Sequence, residues 1–382
     1  MRGTTFDHIR CATKCTETEI SQKTLAFHLL ANIILQELMH TAPKILAIQF
    51  KYLGDAVLLT PALRAIREDM PDCELHVLAP EEVTPVFEHL PWLNRVWAMP
   101  RRRGRGNLSQ TLPIIRALRQ ERFDRSVDFA SNDRGAIASL LIGAKDRLGW
   151  EESGGFWGRR FCYHRRVAPE TKSLHESAHL VHLLSGWNVP PPRSLESEIH
   201  ADPSLAETAK RIFPAENAII CHVASSQPKK EWPLRNWAAL HGMATRAGRN
   251  LVFTTARGER EQSLIAEFSK LTPDALILPM INDLPLLLAV LRRAVLFISG
   301  DTGPLHFAAG LGVPTISLFG PSPPGRWAPL GPNHQFLTGS ACRCDGNSAV
   351  CTSQSHCMAA ISPEQVWEHI RKFEHTKFRS PD

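Results

Sequence analysis

The run Ser299-Gly300-Asp301-Thr302-Gly303-Pro304-Leu305-His306 holds residues whose types and spacing suit the binding of an anion. It follows an apolar segment, Ala294 to Ile298, which reads as a buried parallel strand, and it leads into small residues that read as a helix. Asp301 or Thr302 falls near the N-cap of that helix. Free backbone N–H groups and the positive end of the helix dipole would then point above the sheet, where a phosphate can sit. His306, one turn in, adds a donor. The same pattern also describes an ordinary capped strand–helix turn.

Three other constellations carry chemistry. In Phe50-Lys51-Tyr52-Leu53-Gly54-Asp55, continued to Thr60-Pro61, a strand ends, Gly54 permits a tight turn and Asp55 opens a helix. A carboxylate there either caps the helix or accepts a proton from a substrate hydroxyl, and the two roles are compatible. In Ser225-Ser226-Gln227-Pro228-Lys229-Lys230-Glu231-Trp232-Pro233, two hydroxyls and two ammonium groups suit a diphosphate. Lys230 would neutralise charge developing on a leaving phosphate, and the plain alternative is a solvated basic loop. In Arg257-Gly258-Glu259-Arg260-Glu261, Glu259 or Glu261 could hold ribose or sugar hydroxyls, or simply place negative charge at a helix start.

These motifs need a frame that gathers them. Strand-like runs at Lys44 to Phe50, Glu74 to Ala79, Arg95 to Met99 and Arg125 to Phe129 alternate with helical stretches such as Ala56 to Glu68. The rhythm resumes with Ala218 to Val223, Asn250 to Thr254, Ala275 to Leu278, Val295 to Ile298 and Thr315 to Phe319, with helices at Leu234 to Ala247 and Arg260 to Leu271. Such alternation predicts parallel α/β units. The Pro190-Pro191-Pro192 segment interrupts it and reads as a linker. The expected division is a 1–43 extension, a 44–188 Rossmann-like domain, a 189–204 linker, a 205–362 Rossmann-like domain and a 363–382 helix and tail. Ligands of such folds bind at the carboxyl ends of the strands, where all the motifs fall.

The chain has 382 residues, a net charge of +6 and 43% hydrophobic residues, which suits two domains with real cores. The most apolar early stretch, Leu25 to Met39, is broken by His28, Asn32, Gln36 and Glu37, so it predicts neither a membrane span nor a signal peptide. A cytoplasmic location with mostly reduced cysteines is expected. No Asp-x-Asp pair occurs, which favours a metal-free reaction.

Taken in order, the Gly54-Asp55 to Thr60-Pro61 element, Lys230-x-Trp232-Pro233 and Asp301-Thr302-Gly303-x-x-His306 resemble glycosyltransferase family 9, the bacterial lipopolysaccharide heptosyltransferases. The likeness runs from about Lys44 to Phe373. It implies a GT-B architecture, with acceptor on the first domain, nucleotide-sugar donor on the second, and a last helix crossing back. It implies inverting transfer of heptose from ADP-heptose to a lipopolysaccharide inner core, with no metal or other cofactor. By position, Asp55 matches the general base and Lys230 the phosphate-binding lysine. Asp301, Thr302, Gly303 and His306 match the donor turn, and Ser225 and Ser226 the phosphate-binding hydroxyls at a one-residue offset. Glu259 or Glu261 matches the acidic donor contact, and the apolar loop Pro279 to Pro285 the nucleobase contact.

Two features stand apart. Arg101-Arg102-Arg103-Gly104-Arg105-Gly106, continued by Arg116, Arg119, Arg122 and Arg125, suits an anionic glycolipid acceptor at the inner membrane surface, alongside Gly54, or else is a solvated basic face. No nucleic-acid-binding motif accompanies it. Cys342, Cys344, Cys351 and Cys357 crowd together, but the first pair is too close for ordinary zinc spacing. Alternatives to the heptosyltransferase reading are another nucleotide-sugar donor, a protein acceptor, or a non-catalytic nucleotide- or glycan-binding paralogue. Retention of Asp55, Lys230 and Asp301 together speaks against the last.

Overall fold

Short apolar runs separated by helices pair only with neighbours running the same way, and the chain forms two parallel sheets of six strands each. The computed structural model describes residues 42–100, 108–151, 154–170, 174–215, 218–255, 258–340, 351 and 356–377. The 1–43 extension, apart from residues 42 and 43, lies outside them, as do Arg101, Arg102, Arg103, Cys342 and Cys344.

The first sheet contains β1 (Lys44–Ile48), β2 (Glu74–Pro80), β3 (Arg95–Met99), β4 (Arg125–Asp128), β5 (Asp146–Trp150) and β6 (Arg165–Val167), in the order β3-β2-β1-β4-β5-β6. The second contains β7 (Ile219–His222), β8 (Leu251–Thr254), β9 (Leu276–Ile277), β10 (Leu296–Gly300), β11 (Thr315–Phe319) and β12 (His334–Thr338), in the order β12-β11-β10-β7-β8-β9. Renumbered from its own first strand, the second sheet has the same order as the first. Each therefore reverses direction once, between β1 and β4 and between β7 and β10. A crevice opens at such a switch point, outside the carboxyl ends of the strands. The register brings Ile48 beside Asp128, and Ser299 beside His222, so the loops leaving each central pair emerge side by side.

Nine strands match the expected segments to within a few residues. β5, β6 and β12 were not anticipated. Their sequences, Asp146-Arg147-Leu148-Gly149-Trp150, Arg165-Arg166-Val167 and His334-Gln335-Phe336-Leu337-Thr338, each open on two charged or polar residues, as suits edge strands β6 and β12 and a β5 that is half-covered at its start.

The Leu53–Asp69 helix contains Pro61, whose missing N–H would leave the Val57 carbonyl without its helical partner. The Thr60 hydroxyl donates to that carbonyl instead (2.8 Å) and accepts the Glu198 N–H (2.9 Å), fastening the linker segment to the helix. One hydrophobic cluster takes residues from both halves of the chain, including Ile45 and Val57 with Phe297, Leu305 and Phe307. On the Pro363–Lys377 helix, expected to cross back to the first half, the buried Val366 and Ile370 pack in the cluster of Trp232, Trp237 and Leu240.

Candidate active site

The first switch point places Asp55 of the predicted set and the second places Lys230 and Asp301. From β1 the chain turns through Lys51 and Tyr52 into the Leu53–Asp69 helix. Asp55 is the third residue of that helix rather than its cap, and its Oδ2 accepts the Tyr52 N–H at 3.2 Å. The carboxylate that braces the helix start therefore keeps lone pairs on its other oxygen, so bracing and proton acceptance are compatible in it. Burial pushes the Asp55 carboxyl above its ordinary value, the Lys51 ammonium opposes that, and the Glu176 carboxylate adds to it. A carboxylate held this way is a stronger base than one in water.

Lys51 and Glu176 form an ion pair of 3.7 Å. Glu176, only 2% exposed, also takes Arg326 through Nη2 at 2.7 Å and Nε at 3.1 Å. Arg326 lies beyond β11, on the other half of the chain, and the neighbouring His175 Nε2 contacts the Ala328 carbonyl oxygen at 3.0 Å. Sequence reading missed Glu176 and Arg326. The available signal was a carboxylate at the start of a short, otherwise mostly apolar helix, Glu176–Leu183, which shows that the position is acidic but not what it faces.

At the second switch point, Lys230 Nζ and Asp301 Oδ2 are 2.7 Å apart, with side chains 22% and 10% exposed. Gly300 is required here, since a Cβ would lie 2.8 Å from the Lys230 carbonyl oxygen. Thr302 is the backbone N-cap of the Gly303–Gly310 helix; Asp301 precedes it. The Thr302 Oγ1 is buried and has no hydrogen-bond partner among the described residues, next to N–H groups at the positive end of the helix. His306 is buried, with Nε2 3.9 Å from Asp301 Oδ1, and burial pushes its pKa down to about 4, so the ring is neutral near pH 7.

The two turns meet. A Cβ on Gly54 would stand 3.2 Å from the His306 ring and 3.8 Å from the Gly303 Cα, so the start of the Asp55 helix lies directly against the Asp301–His306 turn. A side chain there would crowd the His306 ring and require it to shift by a few tenths of an ångström.

The remaining predicted residues are less concentrated. Ser225 is buried, its N–H donating to Glu231 Oε1 (3.0 Å) and its carbonyl held by the Arg260 guanidinium. Ser226 is exposed. Arg260 pairs with Glu231 (2.7 Å) and Glu261 (3.1 Å), tying the loops after β7 and β8 together. Glu261 therefore belongs to a network reaching the Ser225 loop, whereas Glu259 is exposed at the helix start. The Pro279 to Pro285 loop includes the half-exposed Met280 and ends at Asp283, which caps the following helix by accepting the Leu286 N–H. Among the described residues no group of three or more His, Cys, Asp or Glu is arranged to hold a metal ion, and no helix is long and apolar enough to cross a membrane.

Arranged so, the site can take a proton at Asp55 on one wall and meet negative charge with Lys230 and a helix N-terminus on the other. A family model described as glycosyltransferase family 9 (heptosyltransferase) matches residues 111–353. The chain is 24% identical over 309 residues to lipopolysaccharide heptosyltransferase 3 of Escherichia coli, covering 76% of this chain and 87% of that protein. The crystal structure of the glycosyl transferase family 9 from Veillonella parvula DSM 2008 superposes with a TM-score of 0.75 at 20% identity, over 87% of this chain and 97% of that one. The E. coli heptosyltransferase WaaC with ADP-2-deoxy-2-fluoro heptose gives 0.64 at 18%, over 86% and 99%. The two parallel sheets are those of the GT-B fold.

Proposed function

The chain belongs to glycosyltransferase family 9 and is a glycosyltransferase, and from that premise we propose that it moves heptose from ADP-heptose, with inversion, to a lipopolysaccharide inner-core or related surface-glycan hydroxyl. The first half, 44–188, would bind the acceptor and the second, 205–362, the nucleotide sugar, with the work done in the cytoplasm at the inner membrane face. The observation that carries this reading is the contact of the Gly54-Asp55 helix start with the Asp301–His306 turn.

In the reaction, Asp55 takes the proton of the acceptor hydroxyl as its oxygen forms a bond to the anomeric carbon. The bond from that carbon to the diphosphate oxygen breaks on the opposite face, and ADP departs with the electron pair. Lys230, released from Asp301 or shared with it, and the N–H groups at Thr302-Gly303 stabilise the departing charge. The unpartnered Thr302 hydroxyl fits the same anion as a donor. Neutral His306 can donate without competing with Lys230 for Asp301. Ser225 would meet the phosphates, and Glu261 and the Pro279 to Pro285 loop would line the nucleoside end. No step calls for a metal ion. Arg101, Arg102 and Arg103 would meet acceptor phosphates or carboxylates.

Thermal unfolding with ADP, UDP, GDP and CMP, with and without magnesium, tests the donor half. ADP at a hundred times its Kd should add about 2.7 kcal/mol, independent of magnesium. Stronger stabilisation by UDP or GDP would keep the transferase and change the donor. No stabilisation by any nucleotide would contradict the donor site.

A further inference from the structure

Hydrophobic side chains are left on the surface of the first half in a way that packing does not explain. On the Asp133–Ile142 helix, Ile137, Leu140 and Leu141 are 43–45% exposed, and their spacing sets them on one face. The Arg159–Cys162 turn packs beside this helix, and the loop around it exposes Phe156, Trp157 (86%) and Phe161 (58%). These six are half of the twelve large exposed apolar residues among those described, which makes a patch rather than scatter.

The aromatic loop is held up from beneath. The Phe156 N–H donates to Asp133 Oδ1 (3.2 Å), and the buried Arg159 donates to the Gly154 carbonyl (3.2 Å) and to Ser131 Oγ (3.3 Å). Below it, Cys162 and Tyr163 bury against Ala136, and the Tyr163 hydroxyl donates to Asp128 (2.6 Å). Trp157 and Phe161 stand edge to face, centroids 6.0 Å apart. The rings are therefore presented to solvent by a fixed base.

Cations accompany the patch. The Arg160 guanidinium sits 4.7 Å over the Phe161 ring. On the adjoining Leu108–Gln120 helix, Arg116 and Arg119 are exposed, and Arg119 reaches the Leu141 carbonyl at 3.0 Å. Tryptophan and phenylalanine beside aliphatic residues, interleaved with arginine, is the composition that seats a protein in the headgroup region of an anionic bilayer. The patch is also continuous with the reaction edge. Its loop is anchored at Ser131 and Asp133, just beyond β4, whose partner β1 leads to Asp55.

We infer that the surface formed by Ile137, Leu140, Leu141, Phe156, Trp157 and Phe161 with Arg116, Arg119 and Arg160 docks on an anionic lipid bilayer, holding the Asp55 crevice at the level of a lipid-borne acceptor. The lipid contact stands on the patch itself; its use for catalysis rests on the glycosyl-transfer reading.

Co-sedimentation of the full chain with vesicles of phosphatidylglycerol and phosphatidylethanolamine tests it. The chain should partition onto these vesicles, far less onto phosphatidylcholine alone. The variants W157S/F161S and I137S/L140S should each lose at least about tenfold in partition while keeping the wild-type melting shift with ADP, which checks folding and the donor site separately. Wild-type protein that remains in the supernatant, or partition unchanged in both variants, would overturn the docking surface. A concentration-dependent dimer dissociated by W157S/F161S, without vesicle binding, would overturn it in favour of a second copy of the chain. Loss of the ADP shift in wild-type protein that still binds vesicles would count against the transferase reading and not against the patch.

Discussion

The two switch-point crevices share a strand order and differ in what they do to charge. In the first, Asp55 has burial and the Glu176 carboxylate working against its ionisation, with Lys51 as partial relief. In the second, Asp301 is matched at 2.7 Å by Lys230 and stands before a helix N-terminus. One crevice raises a carboxylate's appetite for a proton; the other gathers positive potential around a place where an anion can sit. Duplicated topology thus supplies two positions, and under the proposed reaction the residues added to each would decide which takes the proton and which the leaving group.

Substitutions that affect one crevice and spare the other sharpen this contrast. Asp55→Asn should give the largest effect, a fall of about 10²–10⁴-fold in kcat, with the ADP-induced melting shift kept; a fall below tenfold would break the division. Lys230→Ala should cost about 10²–10³-fold in turnover and also weaken ADP binding, measured by calorimetry; unchanged nucleotide affinity would remove Lys230 from the donor side.

Glu176 joins the crevices through Lys51 and Arg326, so its effect should be intermediate. Glu176→Gln removes a buried charge whose partners are about a third exposed (28% and 33%). The loss of stability should sit at or below the low end of about 3–5 kcal/mol. Its pH signature is more specific. The base must be ionised to act, so activity falls as pH drops through the Asp55 pKa. Removing the Glu176 charge lowers that pKa and moves the acid limb of kcat/KM to lower pH, whereas Lys51→Ala raises it and moves the limb upward. Limbs that both stay put would disconnect these residues from Asp55.

The smallest effect is on stability against pH. His222 and His306 are buried and His334 half-buried, with pKa values pushed down by desolvation from 6.5 to about 4, so the unfolded chain binds more protons over that range and stability falls as pH drops below roughly 6.5. Asp128, raised to about 6 by burial, and Asp55, also raised, act in the opposite sense, but burial lowers His76, His175, His179 and His369 as well, so the histidines outnumber them. Tm should therefore decline between pH 7 and pH 5; a rise would contradict the burial of the histidines.

Much of the frame was legible because buried parallel strands must be short apolar runs and must be followed by turns. Asp55, Lys230 and Asp301 stood out as candidates since each lies on the turn, loop or helix start that follows such a run, where polar side chains collect. The edge strands β6 and β12 were not, because an edge needs no apolar face and its sequence resembles a loop. Glu176 and Arg326 escaped for another reason. They are 150 residues apart, and nothing local distinguishes a carboxylate that meets a distant arginine from one that meets water. The apolar spacing of Val366 and Ile370 shows that the C-terminal helix buries a face but not which surface receives it, here the one around Trp232 and Trp237.

The most direct test is a single-product assay of the purified chain with ADP-heptose and a heptose-deficient lipopolysaccharide core in vesicles, reading ADP release, acceptor mass and the anomeric configuration of the new linkage. The account predicts one heptose added per acceptor with inverted configuration and one ADP released, and loss of all three signals in Asp55→Asn. ADP release without heptose on the acceptor, retention of configuration, or full transfer by Asp55→Asn would contradict it.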